Sequence, residues 1–116
     1  MNERGFTLIE LLVVIAILAV LFGLTALALN NITSDAEQRT ARAEADMVQT
    51  AIDVYMTVNN ESSITPSTNC EQVGPGTSGF GAYLRRTSRF YIGWDSSGNV
   101  LTASSASDCS NPLWTR

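Results

Sequence analysis

Neither histidine nor lysine occurs in the 116 residues, and the three prolines all lie beyond Ile64. Without histidine the commonest general base and a common metal ligand are missing. Without lysine, amine-based nucleophilic activation is excluded, and a serine nucleophile would have no imidazole partner. The acids are spread along a helix or isolated in loops, so nothing points to an enzyme or to a cofactor. Positive charge comes from seven arginines against eleven acids, a formal net charge of -4, which argues against a general polyanion binder. Cysteine is scarce too: Cys70 and Cys109 stand far apart, in neither a CxxC nor a zinc-finger pattern. A disulfide is the leading reading, provided that this part of the chain reaches an oxidising compartment; two free thiols are the alternative.

One stretch lacks charge altogether. From Leu11 to Leu29 no ionisable group occurs. At the helical rise this run spans roughly 28 Å, close to the hydrocarbon thickness of a bilayer. Arg4 and the terminal amine precede it, whereas Asp35 and Glu37 are the first charges after it. That asymmetry keeps the N-terminus cytoplasmic and sends the remainder across the membrane. After Asn31 the chain is polar, and a segment of that size is marginal without a covalent staple.

The run admits two readings. As a secretory signal it would be cut after Ala28, in the small-x-small sequence Ala26-Leu27-Ala28, leaving a secreted binding module. That reading does not account for Glu10, a carboxylate at the mouth of an apolar segment. The alternative starts from Gly5-Phe6-Thr7-Leu8-Ile9-Glu10, which resembles the processing site of type IV pilins and pseudopilins. The resemblance covers about residues 4 to 31. It implies that a prepilin peptidase cuts after Gly5, that Phe6 becomes the N-methylated first residue, and that Glu10 is needed for assembly. Many members carry a proline two-thirds of the way along the run; this chain has none there, and Gly23 is its only helix weakener. The helix is then straighter, or loosens at Gly23 to Thr25 or at Asn30-Asn31.

Physical chemistry gives Glu10 the same role. Cleavage after Gly5 would create a secondary ammonium at Phe6, about one helical turn away. A carboxylate at the centre of a spanning helix costs about 2.5–3.5 kcal/mol on insertion scales, and less near the ends. Pairing with the ammonium of a neighbouring subunit offsets that cost and fixes the axial stagger, as buried polar groups fix register in coiled coils. The plain alternative is a glutamate that reaches the head groups of a simple membrane anchor.

Ser34 to Asn59 has neither glycine nor proline, and Ala41, Ala45, Val48, Ile52, Tyr55 and Met56 recur at three- and four-residue steps. Asp35, Glu37, Arg39, Arg42, Glu44, Asp46 and Asp53 occupy the rest, as on a half-exposed helix. If unbroken, Phe6 to Asn59 would form a rod of roughly 80 Å. Ser34 with Glu37 also fits a capping box, so a second helix starting there is the alternative. The head follows. Its stretch SSITPSTNCEQVGPGTSGFG reads as surface loop, Arg89 to Trp94 as a strand, DSSGN as a turn with Gly98 at positive φ, and Val100 to Ala103 as a partner strand. The tail SSASDCSNPLWTR reads as loop. The core is expected on Tyr55, Phe90, Ile92 and Leu101, with Leu113 or Trp114.

The expected fold is α+β: a long N-terminal helix with a small β-hairpin and loop head stapled by Cys70–Cys109, a bridge that the pilin resemblance also implies. Its parts are a leader (1–5), a transmembrane and assembly helix (6–31), an amphipathic continuation (32–60) and the head (61–116). Asp95 and Asp108 are candidates to join backbone carbonyls around calcium, without EF-hand spacing. The sequons Asn31-Ile32-Thr33 and Asn60-Glu61-Ser62 read as chance occurrences. Arg85, Arg86 and Arg89, interleaved with Tyr83, Phe90 and Tyr91, have the composition of a DNA contact or of a surface pairing with acids on adjacent subunits.

The function expected is a structural subunit of a type IV pilus-like filament, serving adhesion, twitching motility or DNA uptake. A pseudopilin of a type II secretion or competence apparatus is the nearest alternative. Its partners would be copies of itself, the prepilin peptidase and methyltransferase, the assembly machinery and the membrane, with DNA an open case. The precursor would lie in the cytoplasmic membrane and the mature chain in a surface filament.

Overall fold

The computed structural model describes residues 5, 7–77 and 79–116. The elements run in the order α1 (Leu8–Asn59), a 3-10 turn (Gly79–Tyr83), β1 (Tyr91–Trp94), β2 (Val100–Ser104) and β3 (Pro112–Thr115). The α+β reading holds, the hairpin of β1 and β2 being extended by β3 into a sheet of three strands.

α1 is 52 residues long and is interrupted neither at Gly23 nor at Asn30–Ser34. A second helix beginning at Ser34 therefore does not occur. The hydroxyls that could divert the backbone are turned to its service: Thr25 Oγ1 donates to the Leu21 carbonyl and Thr33 Oγ1 to that of Leu29, each at 2.8 Å. The helix ends in a Schellman arrangement. Asn60 takes the left-handed conformation at φ 53°, its N–H donates to the Thr57 carbonyl, and the Glu61 N–H reaches back to Met56 at 2.9 Å. Asparagine tolerates that conformation because its short side chain crowds the backbone little.

Two compact units divide the chain, one ending at Asp35 and the other running from Ala36 to Arg116. The helical part of the first unit buries none of its apolar side chains. The second unit has a core. Ala41, Ala45, Val48 and Ile52 of the expected stripe are buried, and Ala51 joins them. Tyr55 and Met56 are half-buried. Phe90 and Ile92 are buried as expected, with Trp94, Val100 and Ala103.

Leu101, expected in the core, is 44% exposed. Neighbouring positions on a strand face opposite sides, and in β2 Val100 takes the inward one. The missing volume comes from Val73 and Phe80 of the segment read as loop and from Leu84 just after it. The Phe80 ring stands edge-on to Trp94, with centroids 5.1 Å apart.

The sheet order is β1-β2-β3, both pairings antiparallel. The turn between β1 and β2 uses Gly98 at φ 83°, as DSSGN predicts. The expected strand from Arg89 shortens to Tyr91–Trp94, because the Arg89 and Phe90 N–H groups bond a helix side chain instead. The tail, read as loop, supplies β3. Pro112 opens that strand at the sheet's edge, where its missing N–H breaks no ladder, and Ala103 pairs with Trp114. Leu113 and Trp114 are half-buried.

Cys70 and Cys109 form the expected disulfide, with Cα atoms 5.3 Å apart and 39 residues of separation. In the chain-entropy account a loop of that length contributes about 4 kcal/mol. Reducing it in the full chain, held in detergent, is expected to lower the unfolding free energy of the sheet-bearing unit by about that amount. A denaturant titration with and without reductant measures this, and unchanged midpoints would contradict it.

Candidate functional site

The start of α1 explains the placement of Glu10. Thr7 is the capping residue before Leu8, and its Oγ1 accepts from the Glu10 N–H at 3.2 Å. Glu10 reaches back, its Oε2 accepting from the Thr7 N–H at 3.4 Å. The Thr7 carbonyl takes the first helical bond, from the Leu11 N–H at 3.2 Å. This is a capping box, a threonine followed three positions later by a glutamate, each satisfying an N–H that the helix end would leave open. The spacing is legible in Thr7-Leu8-Ile9-Glu10, whereas Ser34 and Glu37, which fit the same pattern, lie inside the helix. The positive end of the helix macrodipole favours a carboxylate at Glu10 as well.

Gly5 is exposed, and a Cβ built on it would meet nothing within 4 Å. Phe6, expected to carry the amine that pairs with Glu10, lies outside the described residues, as do Glu3 and Arg4.

Past Glu10 the helix shows apolar side chains on every face. Exposure of the large apolar residues from Leu8 to Ile32 ranges from 48% at Val14 to 87% at Leu8. Leu11 to Ile15 alone complete more than a turn without a polar residue, and a helix apolar all round is one that lipid or other helices must cover. The segment is long and apolar enough to cross a membrane. Thr25, its one hydroxyl beyond Glu10, donates back to its own helix and so costs little in hydrocarbon.

A match to a protein-family model follows this same stretch. The model, described as a prokaryotic N-terminal methylation motif, matches residues 1–26. The N-terminus of the chain is similar to that motif. That finding supports a type IV pilin-like or pseudopilin protein, and with the apolar helix it fits a membrane-anchored precursor processed by a prepilin peptidase. Compared with curated proteins and with solved structures, the chain has no match.

The remaining candidates lie in the second unit. Arg85, Arg86 and Arg89 are exposed, and Tyr83 is 44% exposed beside Tyr55, their rings 6.4 Å apart. Phe90, counted among the interleaved rings, is a core residue; the Arg89 guanidinium lies 5.6 Å over its centroid. Asp95 and Asp108 are each engaged by their own turn. The Asp95 carboxylate accepts from the Asn99 N–H at 2.9 Å, which holds its pKa below the ordinary value. Asp108 accepts from Ser110, the Ser110 side chain and N–H lowering its pKa likewise. Among the described residues no group of three or more Asp, Glu, Cys or His could hold a metal. Asn31 of the first sequon is helical, and Asn60 of the second closes the helix.

Sequence reasoning placed Glu44 on the solvated face. It is 4% exposed, and its carboxylate accepts from the Arg89 N–H at 2.9 Å and the Phe90 N–H at 3.0 Å. Its signal was the position itself: Glu44 lies three residues after Ala41 and four before Val48, inside the apolar stripe. Gln49 makes a second tie, donating to the Gly98 carbonyl and accepting from the Val100 N–H, each at 2.8 Å. These two side chains bind the sheet's backbone to α1 and hold the arginine-bearing segment in place. Glu44→Ala strands two N–H groups and is expected to destabilise this unit by about 2–4 kcal/mol, with Glu44→Gln milder. Denaturant unfolding of the two variants in detergent checks this, and equal stability of all three proteins would contradict it.

Proposed function

We propose that the chain is a structural subunit of a type IV pilus-like filament. A prepilin peptidase cuts after Gly5, Phe6 is N-methylated, and the mature chain waits in the cytoplasmic membrane with its apolar helix in lipid. It leaves the membrane by exchanging lipid for the helices of other copies, and the sheet-bearing unit faces outward at the cell surface. The observation that carries this reading is the methylation motif joined without interruption to a helix apolar on every face. A cleaved signal would make no use of that continuity.

Glu10 has a definite place in this scheme. In the single chain its carboxylate is held by the Thr7 N–H. That bond is long, and it leaves the rest of the carboxylate's acceptor capacity for a charged donor. The ammonium at Phe6 of an adjacent subunit is such a donor. The pairing gives each subunit one axial position relative to the next, which dispersion between leucine, valine and isoleucine surfaces cannot do.

Glu10→Gln keeps a side-chain oxygen for the Thr7 N–H but loses the charge. The variant is expected to be cleaved and inserted normally while surface filaments fall by about tenfold or more, in keeping with loss of a desolvated charge pair. Shearing cells and quantifying this chain in sheared and membrane fractions measures it. Undiminished filaments from the variant would return Glu10 to a helix cap and nothing more.

A further inference from the structure

A groove of about 800 Å³ opens on the second unit. Its lining includes Tyr55, Glu61, Thr68, Glu71 and Thr77, together with Phe80 and Trp94. Glu61 is fixed there by the Schellman turn, at the negative end of the α1 macrodipole, and no basic residue occupies the last turn of the helix. Glu71 is fixed by a two-way backbone bridge to Ile92, with N–H to carbonyl distances of 3.0 and 2.8 Å. The Glu61 charge also raises the pKa of the Tyr55 phenol. The groove is thus a rigid, negatively charged recess whose two carboxylates are exposed.

Its complement lies elsewhere on the same unit. Arg85, Arg86 and Arg89 are three of the chain's seven arginines within five residues, and none lines the groove. Their backbone is anchored, Leu84 N–H to the Gly81 carbonyl at 3.0 Å and Arg89 N–H to Glu44. Arg116 spends its guanidinium on Gln49, Asn99 and the Val100 carbonyl, whereas the Arg89 guanidinium lies over the Phe90 ring face. A chain of net charge -4 repels its copies unless opposite patches are brought face to face. Two complementary patches at different places on one surface make a head-to-tail contact, and such contacts propagate into open helical polymers.

We propose that the Arg85–Arg86–Arg89 edge of one subunit docks into the Glu61–Glu71 groove of the next. This rests on the filament reading and adds to it a second contact, outside the apolar helices, which orders the outer units. Arg86 and Arg89 are the residues to reach the carboxylates, with Tyr55 offering a ring face to a guanidinium.

The absence of lysine makes the test specific. Arg86→Lys keeps the charge and introduces the chain's sole lysine, so carbodiimide, which joins an amine to a carboxylate, reports that residue's neighbours through junctions that start at position 86, and those of the N-terminal amine are told apart by mapping. In sheared filaments and in membranes of cells making the full chain, a crosslinked dimer is expected whose junction maps to Glu61 or Glu71. In parallel, Arg85, Arg86 and Arg89→Glu, and separately Glu61 and Glu71→Arg, are each expected to lower filament yield about tenfold, and the combined reversal to restore it. Filaments in which the junctions from position 86 map to other carboxylates, or in which position 86 gives no junction, overturn the docking, as does a combined reversal no better than its parts. If replacing the three arginines by glutamine abolishes DNA binding but leaves assembly intact, the edge is a nucleic-acid contact and the docking is wrong. A wild-type chain that forms no filaments counts against the filament reading alone, because crosslinking in membranes still decides the docking.

Discussion

The rest of the structure depends on one constraint: the first part of α1 has no polar face. A helix bearing leucine, valine, isoleucine and phenylalanine in every direction finds no stable state in water as a single copy. It needs lipid or other helices around it. Neither environment specifies an axial position, since hydrocarbon tails and leucine side chains are equally apolar. Specificity therefore has to come from the few polar groups at the edge, and among the described residues Thr7 and Glu10 are those at the start of the run. Their capping box completes the helix N-terminus and presents a carboxylate where a neighbour's amine would arrive.

The second unit solves a different problem. Its core is a single small cluster, and three short strands offer little ladder to one another. Stability is supplied by ties that cross the unit. The disulfide joins the segment after α1 to the tail, Glu44 takes the N–H groups of Arg89 and Phe90, and Gln49 takes the turn and the start of β2. All three hold surface segments in fixed positions, which a subunit needs if those segments are to meet copies of themselves at every repeat.

Much of this was legible in sequence, for reasons that differ by element. The apolar run, the stripe from Ala41 to Ile52 and the DSSGN turn are local signals, each carried by periodicity or by one residue's conformational freedom. The disulfide followed from there being only two cysteines in an exported loop-rich segment. What stayed hidden was set by long-range partners. Val73, Phe80 and Leu84 sit in glycine- and serine-rich stretches, and only the helix and sheet that receive them make them core. β3 is four residues opening on proline, a strand only because β2 offers an unpaired edge. Glu44 was assigned to solvent by its charge, although its position in the stripe pointed inward. At the N-terminus the error was one of place: the capping box was sought where the apolar run ends, and it lies where that run begins.

The central claim is that the apolar helix stays on the mature chain. Intact-mass and N-terminal peptide analysis of the protein recovered from cells decides it. The account predicts a chain beginning at Phe6 with one added methyl on its amine and the Cys70–Cys109 bridge intact. A mature chain beginning at Leu29, with residues 1–28 removed, would contradict it.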